Sequence, residues 1–438
     1  MESSRSGSPK RRRDEKEDSD NAPPSKRSAS HTPPDASPTY RIAERPRRYS
    51  REHNEDDRQY RQRHSSSPRS RSGSQSSSRP RSSSSAAPLK PTHLTYKTTL
   101  ILRGHKKPIS LVKFSPDGRT LASASADCTI KLWSASTGAL EHTLEGHLAG
   151  ISALTWSPDS KILASGSDDK SIRLWDTQTG LAHPTPLLGH HNYVYSLCFS
   201  PKGNMLVSGS YDEAVFLWDV RAARVMRSLP AHSDPVSSVD FVRDGTLIVS
   251  CSHDGLIRVW DTATGQCLRT IVHEDNAPVT CVRFSPNGRY ILAWTLDSCI
   301  RLWNYIDGKG KCVKTYQGHA NKKYSLSGAF GTYGAEQAGA HQHAFVASGS
   351  EDGSIVLWDV SSKNVLQRLE GHTEPVLAVV THPTERLIAS TGLDRTIRIW
   401  KAVDEPVTNG SKVKVEVEDK ETNGFDSNIL PPNPFAEG

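Results

Sequence analysis

LASASADCTIKLW, residues 121–133, returns as LASGSDDKSIRLW (163–175), LVSGSYDEAVFLW (206–218), IVSCSHDGLIRVW (248–260), ILAWTLDSCIRLW (291–303), VASGSEDGSIVLW (346–358) and IASTGLDRTIRIW (388–400). The copies end at Trp133, Trp175, Trp218, Trp260, Trp303, Trp358 and Trp400, with gaps of 42, 43, 42, 43, 55 and 42 residues. In every copy an aspartate precedes the tryptophan by six residues: Asp127, Asp169, Asp212, Asp254, Asp297, Asp352 and Asp394. A repeat of roughly 40–45 residues made of short alternating strands and turns is one four-stranded propeller blade. Seven copies predict an all-β, seven-bladed β-propeller over residues 91–402. The repeat also moves the expected function from chemistry towards binding.

Outward from the repeats the composition changes. Residues 1–90 carry 21 Lys/Arg against 12 Asp/Glu, whereas the remainder has 34 against 36, so the net charge of +7 belongs to the leading segment. That segment is rich in Ser, Arg and Pro and has too little apolar surface to offset the entropy of ordering, which predicts disorder. Its basic clusters Lys10–Arg13 and Lys26-Arg27 resemble a bipartite nuclear import signal, and its Ser-Pro pairs are candidate phosphorylation sites. The Arg-Ser stretch has no interleaved aromatics for base stacking, so direct nucleic-acid binding is expected to be weak and confined to phosphate contacts. Residues 403–438, acidic and then Pro-rich, also read as a disordered tail.

Seven unclustered cysteines without a CxxC pair fit reduced thiols rather than a disulfide frame or zinc site. No apolar run approaches a membrane span and no signal-peptide core opens the chain, so a soluble intracellular protein without membrane attachment is expected. Glycine-rich phosphate loops, GxSxG elbows and HExxH helices are absent, which points to a non-enzyme without cofactor or metal.

A histidine precedes the turn aspartate by 22 residues in five units: His105, His147, His190, His232 and His372. In the sixth, His319 precedes Asp352 by 33, and in the fifth Asp275 stands in the histidine's place and Ala293 in the serine's. A fixed interval implies that the side chains meet. The pattern resembles WD-repeat proteins, in which His, Ser/Thr, Asp and Trp form a buried hydrogen-bonded network in each blade; here the first blade would use His105, Ser123, Asp127 and Trp133. The histidines and aspartates are therefore expected to be structural, and the fifth blade the least rigid. The strand preceding His105 has no blade of its own, and the unit ending at Trp400 lacks an outer strand, so the early strand is expected to complete the last blade. The sixth unit's insertion, within Gly331–Ala344, reads as a surface loop.

The stretches LVKFSPDGRTLASASAD, NYVYSLCFSP, AHSDPVSSVDF and DGLIRVWDTATGQCLRT strongly resemble the WD-repeat subunit shared by Set/MLL-type (COMPASS) histone methyltransferase complexes, from about residue 97 to 401. The resemblance implies a narrow channel mouth that takes an arginine, from a partner or the histone H3 tail, between two aromatic rings. Tyr195 matches the first ring, and Ser327 stands at the second. The other matching channel positions are Ser110, Ala126, Ser152, Asp168, Tyr211, Pro235, Ser237, His253, Thr280, Tyr324, Ser325, Leu377 and Leu393. Asn287, Tyr290 and Leu302 match a groove for a second core subunit on the opposite face. The implied function is a nuclear, non-catalytic scaffold of a histone lysine methyltransferase complex, with methyltransferase subunits, the H3 tail and an arginine-containing peptide as partners. The Arg-Ser leader keeps a scaffold of a splicing ribonucleoprotein complex open as the alternative.

Overall fold

Alternating apolar residues and Pro/Gly turns fold residues 96–402 into antiparallel strands arranged as seven sheets, six of four strands and one of three. The computed structural model describes residues 90–307, 310–334 and 342–403. The expectations for the leader and for the tail beyond Val403 lie outside the described residues, as does the middle of the insertion. The inner strands of blades 1 to 7 are Ile109–Phe114, Ile151–Trp156, Val194–Phe199, Val236–Phe241, Val279–Phe284, Gly328–Tyr333 and Val376–Thr381. Buried clusters such as Ala124, Ile130, Leu154 and Trp175 lie between consecutive sheets, so each blade is stabilised by its neighbours.

Local chemistry sets the turns. In blade 1 the Ser115 hydroxyl donates to Asp117 at 2.6 Å, and Gly118 closes the turn on the Ser115 carbonyl at φ +77°. A side chain at Gly118 would also meet the His382 ring at 2.5 Å, which fixes glycine there twice over. Blade 2 has only three full strands. Its outer segment touches the third strand through the isolated bridges Ile172↔Leu187 and Trp175↔Ala182. Pro184 and Pro186 lack the N–H groups a continuous ladder needs.

The ring closes as the repeat count implied. Tyr96–Arg103 pairs with Thr396–Ala402 and supplies the outer strand of blade 7, from Tyr96↔Ala402 to Arg103↔Thr396. The residues before it reach blade 6. Leu94 N–H donates to the Leu366 carbonyl at 3.2 Å, and the Lys90 ammonium meets buried Asp359 at 2.8 Å.

Five blades contain the full network. In blade 1, Trp133 Nε1–H donates to Ser123 Oγ (2.9 Å), Ser123 Oγ lies 2.8 Å from His105 Nε2, and His105 Nδ1 lies 3.0 Å from Asp127. With the Nδ1–H tautomer, every donor in this relay faces an acceptor. Ser165, Ser208, Ser250 and Ser390 occupy the same place in blades 2, 3, 4 and 7. Blade 5 departs as expected from Asp275. Asp297 is instead held by the Arg301 guanidinium, which also donates to Thr295 at 2.6 Å, and Trp303 Nε1 has no partner.

One sixth-blade expectation needs correction. Despite the matching sequence, both ring nitrogens of buried His319 lack a partner. The serine they would use, Ser348, receives the Nε1–H of Trp294 from blade 5 at 3.0 Å, while Trp358 donates instead to the Gln317 carbonyl. The middle of Gly331–Ala344 lies outside the described residues, and its described ends are paired. Tyr333 pairs with His343, and Tyr333 and Phe345 are buried, so both ends of that segment extend the blade.

The network gives the fold a two-stage acid response. Burial alone would raise the Asp127 carboxyl, but donors from Thr129, the Lys106 N–H and His105 outweigh it and hold it at about 2. Asp212 and Asp394 are likewise held at about 2, by His190 and His372 against the effect of burial. Burial pushes the His319 imidazole down to about 4, and lowers His105 and His232 against the pull of their aspartates. All these groups bind protons more readily when unfolded, at roughly 6.5 for His and 3.9 for Asp, so stability rises with pH through each window. Chemical-denaturation midpoints should therefore fall from about pH 6.5 to 4 as the imidazoles are protonated, and again as pH drops from about 4 through 2. A midpoint flat from pH 7 to 4 contradicts the first stage.

Candidate functional site

At one end of the ring, in every blade but the sixth, the residue before the inner strand receives the N–H of the residue preceding the turn aspartate. In blade 6 Glu351 donates to Ala320 instead, and in blade 5 Leu296 donates to Pro278 at 3.0 Å. Ala126 donates to Pro108, Asp168 to Gly150, Tyr211 to Tyr193, His253 to Pro235 and Leu393 to Pro375, at 2.9–3.3 Å. This repeated bond sets a rim of side chains around a cavity of about 320 Å³. Ser110, Ser152, Tyr195, Ser237, His253, Thr280, Tyr324, Ser325, Ser327 and Leu377 all line it. Ala126, Asp168, Tyr211, Pro235 and Leu393 belong to the surrounding rim rather than to the cavity wall.

Three tyrosines dominate one side. Tyr195 stands 5.9 Å from Tyr211 and 6.4 Å from Tyr193, and Tyr193 and Tyr211 are 5.9 Å apart. The rings are inclined at 60–67° to one another, and Tyr193 and Tyr211 are exposed. Tyr193 was missing from the sequence-derived set. The signal for it is the two-residue alternation in Asn192-Tyr193-Val194-Tyr195, which puts both tyrosines on one side of the chain.

Asp168 adds negative charge beside them. Burial raises its carboxyl above the usual range, the Ser152 hydroxyl lowers it by donating at 3.3 Å, and Asp169 raises it again. Burial and the same carboxylate push the Tyr195 phenol up. An ionised acid beside electron-rich ring faces attracts a cation.

The opposite side is built differently. Glu351 accepts the backbone N–H groups of Lys322, Lys323 and Tyr324 at 2.8, 2.6 and 3.0 Å, which fixes the loop carrying Tyr324. The Lys323 ammonium lies 5.0 Å from the Tyr324 ring centroid. Ser327 offers no ring, and its backbone is engaged by blade 7, with N–H donating to the Leu377 carbonyl at 2.9 Å.

On the groove match, Asn287 is exposed in a turn, accepting from the Ser285 hydroxyl at 2.6 Å, and Tyr290 is half-buried beside it. Leu302 is buried between blades 5 and 6, packed with Trp294 and Trp358, and presents no surface of its own. All seven cysteines are free thiols. Among the described residues, no cluster of three His, Cys, Asp or Glu is arranged to hold a metal ion.

Residues 101–401 match the family described as the WDR5 beta-propeller domain. The chain belongs to that family. WD-repeat propellers of this kind are typically non-enzymatic scaffolds that hold other proteins, and no catalytic family is indicated. Among curated relatives, WD repeat-containing protein 26 homolog of Arabidopsis thaliana is 36% identical over 96 residues, 22% of this chain and 15% of that protein. Pre-mRNA-processing factor 19 of Bos taurus is 41% identical over 70 residues, 16% of this chain and 13% of that protein. WD repeat-containing protein WDS homolog of Arabidopsis thaliana is 33% identical over 96 residues, 22% and 17% of the two chains. The chain thus spans less than a fifth of the length of each of these relatives.

Proposed function

We propose that this WDR5-type propeller is a nuclear, non-catalytic scaffold subunit of a histone lysine methyltransferase complex, and that its channel mouth holds an arginine-bearing peptide from a partner or the H3 tail. The observation that carries the reading is Tyr195, packed with two neighbouring tyrosines, on the wall of a cavity large enough for one long side chain, with Asp168 on the rim bonded to Ser152. A guanidinium would stack on Tyr195 with Asp168 nearby, and Ser327 would leave its far side to the walls around Tyr324. Asn287 and Tyr290 would serve a second subunit. Affinity purification of the full chain tests the assembly: methyltransferase subunits should co-purify, and their absence would count decisively against it.

The channel has its own test. Stacking a cation on one ring contributes about 0.5–2 kcal/mol, so Tyr195→Ala should weaken an arginine peptide roughly 2- to 30-fold in a fluorescence-polarisation titration. Unchanged affinity removes the mouth as the site.

A splicing scaffold is the second reading, favoured by the similarity to pre-mRNA-processing factor 19 and by the Arg-Ser leader. Recovery of small-ribonucleoprotein components in the same purification, without methyltransferase subunits, would select it.

A further inference from the structure

Below the tyrosines, the lumen carries two cations without a counter-charge in contact. Lys113, Cys198, Asp240 and Arg283 occupy one level, each opposite the second residue of its blade's repeat motif: Ala122, Val207, Val249 and Leu292. They come from blades 1, 3, 4 and 5 at one register of the inner strands; Cys198 and Asp240 meet at 3.3 Å, and the charge of Arg283 acts on Lys113. Arg283 also lines the cavity under the mouth.

Asp240 is the carboxylate of this set, and it is occupied. It accepts the Phe284 N–H at 2.8 Å, and the Cys198 thiol lies 3.3 Å away. Among the described residues, neither Lys113 nor Arg283 makes an ion pair within 4.0 Å. Lys113 Nζ donates no hydrogen bond, and Arg283 makes one long bond, Nη1 to the Val239 carbonyl at 3.5 Å.

Both side chains are half-buried on the lumen wall, and a cation partly withdrawn from water without a partner carries a desolvation cost. Lysine can relieve the cost by losing its proton, and burial together with Arg283 does lower Lys113 to about 8. Arginine has no such escape, because its guanidinium stays charged and keeps five N–H donors. Two cations against one carboxylate leave a net positive lumen. Ser196, on the same wall, accepts the Val239 N–H at 3.0 Å and keeps its own proton to donate.

We infer that the lumen is a binding site for a small free oxyanion of the phosphate, sulfate or carboxylate class, held between the Arg283 fork and the Lys113 ammonium. The site is separate from arginine capture at the mouth and does not depend on that reading.

The test is thermal melting of the full chain in sodium phosphate against sodium chloride at equal ionic strength and neutral pH. Phosphate should raise the melting temperature by a few degrees, by about RT ln(1 + [L]/Kd) and so with the logarithm of its concentration above Kd. The rise should vanish in Arg283→Met and Lys113→Met and persist in Arg283→Lys, which separates charge from packing. If either methionine variant fails to melt cooperatively, phosphorus-31 line broadening of the wild type, lost in the other variant, gives the same answer. An equal phosphate effect in all variants overturns the site. So does indifference of the wild type to phosphate; a shift from a glutamate-bearing peptide would then assign the lumen to a partner's carboxylate.

Discussion

Removing residues 90–103 should abolish cooperative unfolding of the ring, whereas removing residues 1–88 should leave the melting temperature within about 2 °C of the full chain. The strand Tyr96–Arg103 contributes the buried residues Tyr96 and Leu102, and Leu94 packs just before it. Burial of each large apolar side chain contributes roughly 1.5–3 kcal/mol, so these three supply about 5–9 kcal/mol before the backbone ladder is counted. A folded domain has only about 5–15 kcal/mol in total. The deletion also bares the edge of Thr396–Ala402 and takes Lys90 from Asp359, whose oxygens are otherwise shared with Tyr333 and Ser361. Circular dichroism melts of the two truncations decide the matter. A sharp transition in the shorter protein would show that the early strand is dispensable.

Replacing histidine by leucine should have opposite consequences in blades 1 and 6. His105→Leu takes the acceptor of the Ser123 hydroxyl, which keeps the Trp133 N–H, and removes one donor from Asp127, which keeps Thr129 and the Lys106 N–H. A stranded buried hydroxyl costs roughly 1–3 kcal/mol and a lost bond to a charged acceptor about 1.5–3, so a loss of about 2–5 kcal/mol is expected. His319→Leu removes a ring whose nitrogens already have no partners, in a site 5% exposed. Neutral to about 1–2 kcal/mol of stabilisation is expected there, and some of the acid sensitivity between about pH 6.5 and 4 should disappear. Urea denaturation of both variants at pH 7 and pH 5 reads all four values. Equal losses for the two substitutions would mean that His319 is bonded in solution as its sequence suggests.

These two histidines also mark how far the sequence could be read. Trp spacing, Asp placement and the 22-residue interval are local to a blade, and all five blades that keep the interval form the network. Blade 6 fails for a reason outside its own repeat. Trp294 replaces the small residue that follows the network position in other blades, Ala124 or Gly166 for example, and reaches across the seam to take Ser348. It fits because Gly328 faces it, where an added Cβ would approach the indole to 2.6 Å. No periodicity within one repeat encodes such a pair.

The mouth was legible to a similar degree. Ten channel positions drawn from the resemblance line one cavity, since inner-strand register carries over wherever repeats align. Tyr193 escaped because it precedes its strand. The lumen cations escaped because Lys113 and Arg283 lie 170 positions apart and come to share one level only once the ring is closed.

Closure has a mechanical consequence. Tyr96 lies beside Ala402, and Val403 N–H donates to the Thr95 carbonyl at 2.7 Å, so the chain enters and leaves the ring at the same end of one antiparallel pair. A pull on the two ends loads that pair like a zipper. Its hydrogen bonds would break in succession, each worth only about 0.5–1.5 kcal/mol, instead of resisting together as they would in shear. A ring that heat opens only as a whole would thus give way under tension at low force, and always first at the seam where it was closed.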